Sequence, residues 1–239
     1  MSPTSPFTPN TLRFLRALKR NNRREWFHAH KDRYEHDVRQ PMIAAVERLA
    51  DELRGFAPDL MADPRRSLFR IWRDTRFSED RRPLKTEIGA VFPHRNGRRH
   101  ESAALYFEIG PQWVFAGGGL YRPERTTLQP VRERIAMAPD RFHRLVTAPA
   151  VRREGGLQGE QLKRVPRGFP ADHPTAAYLK HTELLVFREW APELMTSPRF
   201  WPEILRVFKA TAPLVRFLNE AILEQGAATY STRTMRSTT

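Results

Sequence analysis

The clearest hairpin pattern in the chain runs from Ala103 to Leu120 and reads AALYFEIGPQWVFAGGGL. Apolar and polar side chains alternate in its first half, Ala103–Ile109, as in a strand with one buried face. A second strand is predicted at Trp113–Leu120. Only the three residues Gly-Pro-Gln, 110–112, separate the two, so we expect an antiparallel hairpin. The buried face of its first strand would carry Leu105, Phe107 and Ile109.

Two further strands are predicted upstream of the hairpin, at Leu68–Trp72 and Lys85–Phe92. Helices are predicted on both sides of the strands. Upstream, the segments are Thr8–Asn21, Asn22–Arg39, where Asn22 has the spacing of a cap, and Met42–Gly55. Downstream, the segments are Thr126–Thr147, divided at Pro139, then Thr175–Lys180 and Ser197–Leu223, with a possible strand at Leu184–Arg188. This order predicts an α+β fold in which a hairpin-rich antiparallel sheet packs with N-terminal and C-terminal helices.

A length of 239 residues suits one compact domain, which we expect at residues 7–225. Residues 1–6 and 226–239 are expected to be disordered tails. A small helical domain after Pro174 is the alternative division. The sequence has no apolar window long enough to cross a bilayer and no apolar signal-peptide core, so we expect a cytoplasmic protein that does not bind membranes.

The formal net charge of +14 favours an anionic partner, because clustered basic side chains neutralise phosphates. The basic residues are 35 Arg and 6 Lys, and they are spread along the chain rather than concentrated in a tail. Cysteine is absent, which excludes disulfides, thiolate metal sites and a cysteine nucleophile. His28, Asp32 and His36 have the spacing of one helix face, but this pattern is typical of a solvated helix and we expect no metal site.

The segment Leu68–Gly89, LFRIWRDTRFSEDRRPLKTEIG, combines a predicted strand with many charges. Alternation along that strand places Arg70 in an otherwise apolar surface. A buried guanidinium needs a carboxylate or a bound anion, so we expect Arg70 to have one or the other. Two interpretations remain open: an internal network of arginines and aspartates, and an anion-binding pocket.

The candidate ligand-binding residues in this segment are Arg70, Arg73, Asp74, Arg76, Ser78 and Lys85. Downstream candidates are Arg122, which follows Gly117–Gly119, and Lys163 and Arg167, which lie in a long connection. The glycines permit close backbone approach, either to a ligand or to another strand. The long connection is either a lid or a solvated loop. No catalytic residue and no cofactor can be assigned from these patterns.

Five motifs in order carry a family resemblance, and they read FTPNTLRFLRALKRNNRREWFHAHKDRY, FRIWRDTRFSEDRRPLKTEIGA, FAGGGLYRPE, LKRVPRGFPADHP and PLVRFLN. They resemble a large bacterial family of conserved uncharacterised proteins, also seen in fungi and known only as a domain of unknown function. The resemblance covers Phe7 to about Leu223 and implies one α+β domain without supplying an activity. The chain departs from the family pattern at Arg82, where Lys is usual, and at Leu84, where an aromatic residue is usual.

From these observations we expect a protein that binds a small phosphate- or carboxylate-bearing ligand through an Arg/Lys cluster; whether it is also an enzyme is left open. One alternative is a nucleic-acid-binding module with a broad basic face. The other is a structural or partner-binding protein whose Arg/Asp motif is an internal salt-bridge network.

Overall fold

A computed structural model of the chain describes residues 4–74, 76, 80–97 and 101–236, with side chains described as far as residue 225. The helices before the sheet are α1 Pro9–Arg20, α2 Arg24–Ala29, α3 Lys31–Tyr34, a π-helical turn Glu35–Arg39, α4 Gln40–Phe56 and α5 Pro64–Ser67. The strands are β1 Ile88–Pro93, β2 Ala104–Ile109, β3 Val114–Leu120 and β4 Leu184–Trp190. The remaining helices are α6 Arg125–Met137, α7 Pro139–Thr147, α8 Pro149–Arg153, α9 Ala176–Leu179, a 3-10 turn Pro192–Thr196 and α10 Phe200–Arg236.

Side-chain hydrogen bonds cap the start of α1. The Thr8 hydroxyl accepts a hydrogen bond from the backbone N–H of Asn10, while the hydroxyl of Thr11 accepts one from the backbone N–H of Thr8. Both bonds satisfy N–H groups that have no partner inside the helix. The buried stripe of α1 includes Leu15 and Leu18, as its spacing predicts.

The predicted cap at Asn22 is wrong. The N-cap of α2 is Arg23, which makes no side-chain cap. The Asn22 amide instead bonds the backbone of Leu84, donating to its carbonyl at 2.9 Å and accepting from its N–H at 3.1 Å. A side-chain amide carries the same donor and acceptor as a peptide group, so Asn22 pairs with the chain next to the sheet as a strand residue would.

The four strands form one antiparallel sheet in the order β1-β2-β3-β4. The predicted hairpin is confirmed, with the Gly110 N–H donating to the Trp113 carbonyl at 2.8 Å across the turn. The predicted face of β2 is also confirmed, because Leu105, Phe107 and Ile109 are fully buried. These elements confirm the α+β class.

Contacts divide the chain into two compact units, each made of separate sequence segments. The first unit contains Met1–Phe92, Tyr106–Ala116 and Arg188–Arg206, and the second contains Pro93–Leu105, Gly117–Phe187 and Val207–Thr239. The single domain expected at residues 7–225 stays a prediction, as does the disorder of the tails. The helix α10 extends to Arg236, beyond the end at Leu223 that the sequence pattern indicates.

The core of the first unit is aromatic where α10 begins. The ring of Phe200 contacts Phe7 and Phe107 edge to face, with centroids 5.3 and 6.3 Å apart. In the second unit, the Asn219 side chain of α10 donates to the Ala103 carbonyl and accepts from the Ala103 N–H at 3.0 and 2.9 Å. Phe107 lies in β2 and Ala103 lies directly before it. In the first unit Phe200 therefore anchors α10 at Phe107, and in the second unit Asn219 anchors it at Ala103.

Candidate functional site

The segment predicted as a first strand, Leu68–Trp72, bends at Ile71 and does not form a continuous ladder. Isolated antiparallel bridges join Leu68 to Ala90 and Trp72 to Leu84. Between them, the Lys85 N–H donates to the Ile71 carbonyl at 2.8 Å. These bonds fix the segment beside the residues that lead into β1. They leave its side chains in strand-like alternation.

The predicted burial of Arg70 is wrong. Arg70 is exposed, whereas its neighbour Ile71 is buried. Apolar residues occur on both sides of the pattern Leu-Phe-Arg-Ile-Trp-Arg, so alternation separates two faces without showing which one meets the core. The structure turns Ile71 inward and leaves Trp72 with 40% of its surface exposed.

Arg70 lines a pocket of about 300 Å³, which we call the Arg70 pocket. Its cationic residues are Lys31, Arg39, Arg65 and Arg70, and Glu35 is its one carboxylate. Its apolar wall includes Phe27, Tyr34, Ile71, Trp72 and Ile88. The pocket therefore combines an apolar floor with four positive charges.

Three of these four cations form no ion pair within the described ranges. Arg39 pairs with Glu35 at 3.1 Å, whereas Lys31, Arg65 and Arg70 have no carboxylate oxygen within 4.0 Å there. Hydrogen bonds from Arg76 lower the pKa of Asp74, and the charge of Arg70 makes a small contribution to this lowering. The Tyr34 side chain is buried in the same wall. Its burial, with a smaller effect of the Glu35 charge, raises the pKa of Tyr34 to about 12, so its hydroxyl keeps its proton and can donate a hydrogen bond.

A second pocket of about 540 Å³, the Arg73 pocket, is lined by Arg23, Arg24, Arg73 and Arg81 together with Trp72 and Glu25. The Arg73 side chain is 23% exposed and its Nη1 lies 3.0 Å from an Asp80 carboxylate oxygen. Among the described residues, the buried Nε of Arg73 has no hydrogen-bond partner. An unsatisfied buried donor costs free energy.

Two aspartates of the central segment hold nearby arginines in local networks. The Arg76 guanidinium donates to both oxygens of Asp74 at 3.0 and 2.7 Å, and these bonds lower the pKa of Asp74 to about 2. The Arg82 guanidinium donates to Asp80 in the same way, at 2.9 and 2.7 Å. Part of the segment therefore forms an internal Arg/Asp network, which is one of the two interpretations that the sequence allows.

The other candidates of the central segment lie elsewhere. The Lys85 ammonium lies 4.9 Å from the centre of the Phe69 ring rather than in the lining of either pocket. Its charge also acts on the nearby carboxyl of Glu108. Ser78 lies outside the described residues.

The downstream candidates belong to the second unit. Arg122 has a left-handed backbone with φ of 42°, and its guanidinium lies 5.3 Å from the Tyr121 ring and 3.8 Å from a Glu183 oxygen. Lys163 and Arg167 are exposed. Their role as a lid stays a prediction.

Two of the three glycines permit close approach to a strand. A Cβ atom added at Gly117 would lie 2.6 Å from the Phe187 Cβ of β4, and one added at Gly119 would overlap the Leu184 carbonyl oxygen. A Cβ atom added at Gly118 would instead lie 2.7 Å from a Leu105 methyl carbon and 2.8 Å from the Thr211 hydroxyl. In the described structure Gly117 and Gly119 are therefore used for the pairing of β3 with β4.

Sequence reasoning missed Lys31, Arg39 and Arg65. A signal for the first two exists, because Lys31, Tyr34, Glu35 and Arg39 recur at three, four and eight residues, which is the spacing of one helical face. No comparable signal exists for Arg65. It joins the pocket through α5, which is distant in sequence from these helices.

An α+β protein with two adjoining basic pockets in one unit is the class that the fold and site define. The chain belongs to the family of conserved hypothetical proteins DUF2461, whose model matches residues 10–217. No curated protein matches the chain. Over the part of the chain that the structure describes, no helix has the length and apolarity to cross a membrane. In the same ranges no three His, Asp or Glu side chains are grouped so that they could hold a metal ion.

Proposed function

We propose that this protein binds a small phosphate- or carboxylate-bearing ligand in the Arg70 pocket. The observation that carries the proposal is the set of cations around this pocket. Lys31, Arg65 and Arg70 line one cavity without an ion-pair partner in the described ranges, while Arg76 and Arg82 are already held by aspartates.

The chemistry of the lining suits an anionic group. A guanidinium offers a planar fork of donors that matches the two oxygens of a carboxylate or phosphate. Arg65 and Arg70 supply two such forks, and the Lys31 ammonium adds a point charge. Tyr34 is neutral near pH 7, as an ordinary phenol is, and burial raises its pKa further, to about 12.

The apolar part of the lining indicates a ligand with more than a bare anion. Phe27, Ile71 and Ile88 form part of the wall, and the volume of about 300 Å³ is at the lower end of the range of small-molecule sites. A ligand with one anionic end and a compact apolar or planar body would satisfy both parts of the pocket.

Isothermal titration calorimetry with inorganic pyrophosphate and citrate tests the proposal. We expect saturable binding to the wild-type protein and a loss of affinity of at least about tenfold in Arg70→Glu, because the variant removes a charge-assisted contact and adds a repulsive charge. Arg70 is exposed, so the substitution should leave the melting temperature nearly unchanged.

Arg144→Glu is the matched control. Arg144 is exposed on α7 and does not line the Arg70 or Arg73 pocket, so this variant makes the same change in net charge away from both. Equal weakening by the two variants would show a general charge effect and contradict a site at Arg70. An absence of saturable binding by either anion would also overturn the proposal.

A further inference from the structure

Trp72 lines both the Arg70 pocket and the Arg73 pocket. It is the one exposed residue among the five tryptophans, all of which lie in the described ranges. The ring of Phe27 meets its indole edge to face, with centroids 5.5 Å apart and planes at 76°. The His28 ring lies 6.1 Å from the indole, and the Arg24 guanidinium lies 6.0 Å above its ring. With 40% of the residue exposed, part of the aromatic surface still meets solvent.

Positive charge lies on both sides of this indole. Arg70 precedes Trp72 by two residues and lines one pocket, and Arg73 follows it directly and lines the other. Each pocket contains four cations and one carboxylate. A ligand that spans both pockets would therefore carry an anionic group on each side of a planar group.

The Arg73 pocket contains cations that form no ion pair within the described ranges. Asp80 binds Nη1 of Arg73, whose Nε is buried and has no hydrogen-bond partner among the described residues. Arg23 and Arg24 in the same pocket form no ion pair within the described ranges, and the Arg24 guanidinium lies 6.0 Å from the centre of the Trp72 ring. These groups can accept a second anion independently of the Arg70 pocket.

We propose that Trp72 and the two pockets form a binding site for single-stranded nucleic acid. One base stacks on the Trp72 indole, and the phosphates before and after it enter the Arg70 and Arg73 pockets. Exposed aromatic side chains beside a basic groove bind single strands in this way, whereas the bases of a duplex are stacked on each other and cannot reach the indole. The inference rests on the proposed function, because the anion in the Arg70 pocket is then a phosphate of the strand.

Fluorescence anisotropy with a short labelled oligothymidylate tests the site, with an abasic oligonucleotide of equal length and a duplex as comparison ligands. We expect the oligothymidylate to bind more tightly than both. Trp72→Leu should weaken its binding by about 5- to 140-fold, as loss of one base–aromatic stack does, while leaving the abasic ligand unaffected. Trp72→Phe keeps an aromatic face and should restore most of the affinity.

Controls separate stacking and charge from general effects. Tyr121→Leu removes another exposed aromatic ring that lines neither pocket, and it should leave binding unchanged. Arg23→Glu should weaken oligonucleotide binding and reduce its salt dependence, since each lost phosphate contact lowers the slope of log K against log salt by about 0.7. Arg23 is exposed, so the folded state should tolerate this change.

The outcomes distinguish the two proposals. Pyrophosphate binding that depends on Arg70, together with equal affinity for abasic and intact oligonucleotides or no effect of Arg23→Glu, would retain the anion site and overturn the nucleic-acid site. Tighter binding of duplex than of single strand would overturn it as well. Loss of oligonucleotide binding in Trp72→Leu and Arg23→Glu, with recovery in Trp72→Phe, supports it. If Trp72→Leu has a lowered melting temperature, the test of the nucleic-acid site rests on the affinities of Arg23→Glu and Trp72→Phe for the oligothymidylate.

Discussion

Two motifs that stand out in the sequence, one in each unit, differ in what they contact. Phe69–Asp74, FRIWRD, lies in the first unit and presents Arg70 and Trp72 to open pockets. Gly117–Arg122, GGGLYR, lies in the second unit, and Gly117 and Gly119 leave room for the neighbouring strand β4. A distinctive motif can therefore line an open pocket or meet a packing constraint, and only its contacts distinguish the two.

The arginines of the two units differ in the same way. In the second unit, Arg132 is only 7% exposed and donates to the carbonyls of Leu179 and His181, both at 3.0 Å. Arg134 and Arg141 both bind Glu220 at 2.7–2.8 Å. These positive charges are used within the fold. The net charge of +14 therefore does not by itself locate a site for anions.

The largest expected effect tests the structural use of the second motif. Gly119→Ala should destabilise the protein by about 3 to 5 kcal/mol, because the new Cβ would overlap the Leu184 carbonyl and the backbone has φ of 137°. Urea denaturation measures the free energy of unfolding. The control is Gly156→Ala, where φ is 73° and nothing lies within 4 Å of the added atom, so strain acts without overlap.

If Gly119→Ala costs no more than Gly156→Ala, close packing against β4 is not what requires the glycine. The contrast between a packed motif and an open one would then fail. A larger loss for Gly119→Ala than for Gly156→Ala sharpens the contrast, because it assigns the difference to overlap with the neighbouring strand.

A smaller effect is expected from the buried arginine. Arg132→Met should destabilise the protein by about 2 to 4 kcal/mol, since it leaves the carbonyls of Leu179 and His181 without their donors. Burial, followed by the nearby charge of Arg125, lowers the pKa of Arg132, so removal of the charge offsets part of this loss. Thermal and urea unfolding provide the measurement.

Arg125→Met is the matched control on the same helix. Arg125 is exposed and its charge opposes that of Arg132, so its removal should be neutral or slightly stabilising. A variant Arg132→Met that is as stable as the wild type would mean that the cost of burying the guanidinium equals the value of its two hydrogen bonds. The arginine would then need an explanation other than stability.

The smallest effect concerns a carboxyl of the first unit that is not in either pocket. Glu108 accepts hydrogen bonds from the Tyr106 hydroxyl at 2.5 Å and the Trp113 indole at 2.7 Å. Burial raises the pKa of Glu108 above its ordinary value, although both hydrogen bonds act against this rise. A raised pKa means that ionisation is less favourable in the folded protein than in the unfolded chain.

The stabilising contribution of this carboxyl is therefore complete below the ordinary pKa of glutamate and is lost as the pH rises through the raised value. Glu108→Gln removes the titration and should gain stability relative to the wild type over that pH interval, by no more than about 1.5 kcal/mol at neutral pH. Urea denaturation across pH measures the difference, with the exposed Glu47→Gln as control. A difference that is independent of pH would show that Glu108 titrates normally.

Local patterns predicted much of the fold because they depend on neighbours in sequence. The alternation around Phe107 and the short connection at residues 110–112 each act over a few positions, and the structure confirms them. The prediction of a cap at Asn22 was wrong for a non-local reason, because the Asn22 amide bonds the carbonyl and the N–H of Leu84 instead.

The sequence by itself determined the α+β class, most helix and strand positions and the region in which to search for a site, since these follow from periodicity, capping and composition. Only the tertiary structure decided that Ile71 rather than Arg70 faces the core and that Lys31 and Arg65 meet at one pocket. The physical reason is that period two defines two faces without assigning the core to either, and that a pocket combines side chains whose proximity depends on how distant segments pack.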